Sequence, residues 1–130
     1  MAGLQLDGAG QVKMVTLEEC LTIHSRTNAL VEQYALSVKN NKPVGSLLNG
    51  VKRNLPSLAF KLKGQFGMIS DLVNNVVISS SRGSSDVVRV RTLREGIAQI
   101  KQGIDVGMAH TKNNHAIHRA KPVAKLPAEG

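Results

Sequence analysis

Apolar side chains recur at steps of three and four along most of the chain, the spacing that gathers one face of an α-helix. The first pattern is expected to open at Thr16, whose hydroxyl suits an N-cap, with Glu18 and Glu19 where the helix dipole favours negative charge. Its apolar row is Leu17, Leu21, Val31, Ala35 and Val38, with Cys20 and Tyr34 beside it, and it stops at Asn40–Asn41. Lys42-Pro43 marks a turn, after which Val44, Leu47, Leu48 and Val51 form a second pattern that ends near Asn54. Pro56 either kinks this helix or begins a new one, because an interior proline loses a hydrogen bond and clashes with the preceding turn. A third row runs through Leu55, Leu58, Ala59, Leu62, Phe66, Ile69, Val73 and Val76. It passes over Gly64 and Gly67, each costing about 1 kcal/mol relative to alanine inside a helix. The serine-rich run Ser79–Ser85 reads as a loop, and Ser85 or Asp86 caps a fourth pattern of Val90, Leu93, Ile97, Ile100, Ile104 and Met108.

No strand-like alternation bounded by turns separates these patterns, and Val76-Val77-Ile78 continues the third row in phase. Short connections make neighbouring helices alternate in direction, so residues 14–112 are expected to form an all-α, antiparallel four-helix bundle. Residues 1–13 are glycine-rich without periodicity and read as a flexible N-terminal arm; residues 113–130, with Pro122 and Pro127, read as a flexible C-terminal tail.

Composition narrows the classes. The 130 residues include no Trp, one Tyr and two Phe, so the core must be built from aliphatic side chains, as in helix bundles. Base-stacking sheets and oligonucleotide-binding barrels need exposed aromatics and start at a disadvantage. Cys20 is the only cysteine, which excludes a disulfide scaffold and a cysteine-built zinc site. No apolar run approaches the roughly 20 residues of a membrane span and no leader is evident, so a cytoplasmic protein without membrane contact is expected. The balance of 17 Lys+Arg against 9 Asp+Glu favours acidic partners.

The segment Ala59-Phe60-Lys61-Leu62-Lys63-Gly64-Gln65-Phe66-Gly67-Met68-Ile69-Ser70 resembles the signature of histidine phosphotransfer (HPt) domains, roughly Ala-His-x-Leu-Lys-Gly-x-x-Gly-Met-Ile-Gly. Ala59, Leu62, Lys63, Gly64, Gly67, Met68 and Ile69 match; Ser70 stands where glycine is common, and Phe60 takes the place of the phosphoacceptor histidine. The resemblance implies a four-helix bundle in two-component signalling. A phenyl ring has no nucleophilic nitrogen, so the chain resembles a degenerate member that docks without relaying phosphate.

Helical geometry points to the same face. At about 100° per residue, Leu62, Phe66, Ile69 and Val73 share one side, while Phe60, Gly64, Gly67, Asp71 and Ser57 fall opposite. Arg53 joins them if the helix runs straight through Pro56. Phe60 is therefore expected to point outward, with two glycines clearing the approach for a partner. Phe60, Lys61, Lys63, Gly64, Gly67, Asp71, Arg53 and Ser57 are the expected partner-binding residues, the partner being a receiver domain or histidine kinase. No catalysis, cofactor or metal is expected; His110, His115 and His118 straddle a helix end without carboxylate support. Two alternatives stay open. One is an active phosphocarrier using His24 or His110, although His24 falls inside the apolar stripe. The other is a basic nucleic-acid-binding helical bundle.

Overall fold

A computed structural model describes residues 5–82 and 85–116, and four helices make up most of them: α1 Gly8–Lys39, α2 Gly45–Leu62, α3 Gly67–Ser81 and α4 Asp86–His115. Each helix packs against two neighbours in the ring α1–α2–α3–α4, and neither diagonal pair meets. The result is a four-helix bundle. Leu17, Val31 and Tyr34 of α1, Leu55, Leu58 and Leu62 of α2, Val73 of α3, and Leu93, Ile100 and Ile104 of α4 fill its core. Among the described residues, no helix is long and apolar enough to cross a membrane.

Three boundaries differ from the sequence reading. The first helix opens at Gly8, because Asp7 caps it by accepting from the Gly10 amide at 2.7 Å. Thr16 lies inside α1, its hydroxyl donating to the Val12 carbonyl one turn back. Residues 8–13 are thus helical and do not belong to a flexible arm. At the other end α4 runs to His115, three residues into the expected tail; residues 117–130 lie outside the described residues.

The third difference concerns the middle. The second and third patterns are not divided at Pro56: α2 runs through it to Leu62. Pro56 is exposed, and so is Lys52, the residue whose carbonyl loses its helical partner to the proline. The break falls instead at residues 63–66. Two glycines within four positions weaken helix propagation there. The Lys63 amide reaches only to Phe60 O at 3.3 Å, and the Phe66 amide closes the turn on Leu62 O at 2.7 Å. The supposed continuous third helix is therefore two helices.

The serine run is shorter as a loop than expected. Ser79–Ser81 complete α3, with the Ser80 and Ser81 hydroxyls donating to Val77 O. Residues 83–84 lie outside the described residues. Ser85 then caps α4, accepting from the Val88 amide at 3.3 Å.

Candidate functional site

The turn between α2 and α3 brings Phe60, Lys63 and Asp71, three of the eight expected partner-binding residues, around one groove built from two helices. Phe60, in the last turn of α2, is 79% exposed, and Lys63, which caps that helix, is also exposed. A shallow groove joins Phe60 and Lys63 to Pro56 and Ala59 on α2 and to Ser70, Asp71 and Asn74 on α3. A side chain built at Gly64 or Gly67 would meet nothing within 4 Å. Both glycines therefore leave open space, while the groove that includes the ring is lined by Lys63, Asp71 and Asn74. That face does not come from a single helical row: Gly64 lies in the turn and Gly67 opens α3.

The other expected residues are more dispersed. Lys61 turns toward α1, where its ammonium lies 3.5 Å from a Glu19 carboxylate oxygen. Ser57 is exposed about one turn before Phe60, and Arg53 about two turns before it. The groove gathers neither of them.

Two residues of this surface were not singled out by the sequence as site residues. Met68, in the first turn of α3, is 88% exposed and faces the α3–α4 groove. Ser70 is buried, and its hydroxyl donates to the Ala59 carbonyl at 2.8 Å. That bond ties α3 to the residue just before Phe60 and sets the two walls of the groove. Its signal was the serine standing where the HPt pattern has glycine.

The histidines occupy unlike settings. His24 is buried, with Nε2 donating to the Ile97 carbonyl at 2.8 Å, which makes it a cross-helix fastener between α1 and α4. His110 is exposed beside an apolar groove between α3 and α4 that also includes Met68, Leu72 and Val106. Cys20 is fully buried, and burial pushes its thiol up to about 11, so it stays protonated. Among the described residues, no group of three or more His, Cys, Asp or Glu is placed to hold a metal ion.

Charge is arranged unevenly around the site. No Asp or Glu occurs between Glu32 and Asp71, and that span carries Lys39, Lys42, Lys52, Arg53, Lys61 and Lys63. All of α2 lies within it, so the helix bearing Phe60 has no acidic residue of its own. No known family model, curated protein or solved structure matches this chain.

Proposed function

We propose that the chain is an HPt-like signalling module that binds a receiver domain or a histidine kinase and does not itself relay phosphate. The bundle is read as antiparallel and the protein as a cytoplasmic, non-enzymatic docking partner. The order of contacts supports the antiparallel reading. Asp7 meets His115 while Tyr34 meets Asp86, and Ile69 faces Gly103 while Val76 faces Gly96.

The observation that carries the function is the exposed ring of Phe60 beside two glycines with open space above them. An exposed aromatic against a cleared, basic surface suits a protein interface anchor. It stands where the HPt signature has its acceptor, and carbon in place of nitrogen supports binding without phosphoryl transfer. The six Lys and Arg between Glu32 and Asp71 outnumber the acids near Phe60, Asp71 in its groove and Glu19 beside Lys61, and this supports an acidic partner, which a receiver domain's phosphorylation pocket supplies. Of the two histidines considered as substitute acceptors, His24 has its Nε2 occupied in the core, which weighs against that alternative.

The test is Gly64→Arg, titrated against receiver domains and histidine kinases from the same cell. The Cβ at this position meets nothing, so the variant is expected to keep its helicity while binding falls at least about tenfold, the scale of losing one anchor contact. Binding unchanged in Gly64→Arg removes this surface from the reading.

A further inference from the structure

Three residues far apart in sequence converge where α1 begins and α4 ends. The carboxylate of Asp7 lies 3.0 Å from Nδ1 of His115, and the ammonium of Lys13 lies 3.1 Å from Nε2 of the same ring. Lysine has only donors, so Nε2 accepts from Lys13, and the ring proton sits on Nδ1 and is donated to Asp7. The ring is also fixed by its backbone: the Asp7 amide donates to His115 O at 2.9 Å. Gly10 makes room for it, since a Cβ there would collide with the Cβ of His115. Beside the pair is a small cleft, lined by Lys13, Phe66, His110, Thr111, Asn114 and His115.

A nucleophile bonded to a base that is itself oriented by a carboxylate, next to a cleft, is the arrangement that activates side chains for acyl transfer. We propose that Lys13 is an acyl-acceptor site that takes an acyl group from a thioester, with His115 as general base and Asp7 as its positioning residue. His115 Nε2 takes one proton from the Lys13 ammonium. The freed nitrogen lone pair attacks the thioester carbonyl carbon, the C–S bond breaks, and the leaving thiolate takes that proton back from His115. The second nitrogen proton goes to solvent as the amide forms, and no oxidation state changes. The amide is stable, so the chain is modified once and does not turn over. Acylation removes the Lys13 charge and its bond to His115. This inference stands apart from the Phe60 surface, and either can fail without the other.

The experiment incubates the full chain with acetyl-coenzyme A as the thioester probe and follows acetylation at each lysine by peptide mass spectrometry. Exposed Lys52 is the internal reference. Lys13 is expected to acetylate at least about tenfold faster than Lys52, a conservative share of what a positioned base contributes. His115→Gln is expected to bring Lys13 down to the Lys52 rate while leaving Lys52 unchanged, with helicity checked in parallel. Equal rates at Lys13 and Lys52 in the wild-type chain overturn the proposal whatever the variant's folding. A Lys13 preference that survives His115→Gln overturns the role of the histidine.

Discussion

The α1–α4 seam and the α2–α3 hairpin are held by different means. Polar bonds fasten α1 to α4 along their length: Asp7 to His115, His24 to Ile97 O, Glu32 to Arg94, and Tyr34 to Asp86. The helices are long, 32 and 30 residues. Those of the hairpin have 18 and 15, and among the described residues Ser70 fastens them, its hydroxyl donating to Ala59 O. The two most exposed large apolar side chains, Phe60 and Met68, belong to the hairpin, beside the open glycines Gly64 and Gly67, although Gly8 of α1 is open too and α1 and α4 expose Val12, Val15, Leu36, Val87, Val88 and Val106. Cross-helix side-chain bonds are concentrated on the α1–α4 seam, and the proposed docking surface lies on the hairpin opposite.

The deepest break in that contrast is expected at His24. His24→Ala removes a buried ring and the cross-helix bond it adds to the Ile97 carbonyl, which keeps its place in the α4 ladder, so a loss of about 3 kcal/mol is expected from the cavity and the lost bond together. Urea unfolding measures it. A loss below about 1 kcal/mol means the α1–α4 frame does not depend on its central fastener.

A smaller effect is expected at the far end of the same seam. Tyr34 is buried, its hydroxyl donating to Asp86 at 2.6 Å, and Arg89 bridges the pair and Ser80 O. Tyr34→Phe keeps the ring and loses the bond, for about 1 kcal/mol. Burial, first, and the Asp86 bond raise the phenol's pKa. A folded pKa above the unfolded one stabilises fully below the unfolded value near about 10, and that contribution is lost as pH rises through the folded value. Wild type should therefore lose stability in strong alkali, and Tyr34→Phe should lose less over the same range. Parallel alkaline curves for the two proteins would separate the hydroxyl from the frame.

How much of this was readable beforehand depends on the kind of signal. The row Leu93, Ile97, Ile100, Ile104 is uninterrupted and placed α4 correctly, with the Ser85 cap. In α1 the buried stripe is Leu17, Cys20, His24, Thr27, Val31 and Tyr34, and its two polar members blur an apolar count. Thr27 is hidden because its hydroxyl turns back to Ile23 O, and His24 because its partner lies on another helix. The phase of Phe60 was legible, since exposure follows from its own helix. The break at residues 63–66 was not, because the apolar row continues in step across it and only tertiary packing decides where a glycine-weakened helix ends. His115 was read only as a histidine near a helix end without carboxylate support; it lies within α4 and the Asp7 carboxylate supports it, a pairing that, like that with Lys13, gave no sequence signal because it joins residues as many as 108 positions apart.

The smallest stability effect is expected where the functional claim is strongest. Phe60→Ser removes the largest exposed side chain of α2, and at 79% exposure little buried area goes with it. Its stability should stay within about 0.5 kcal/mol of wild type, the range of ordinary surface changes. A ring retained for packing would instead cost more than about 2 kcal/mol on truncation, as core aromatics do. Urea midpoints of Phe60→Ser and His24→Ala, taken side by side, decide between the two roles. Near-native stability in the first and a large loss in the second is what a presenting hairpin on a bonded frame requires. Comparable losses in both would make Phe60 part of the scaffold and leave the α2–α3 surface without its anchor.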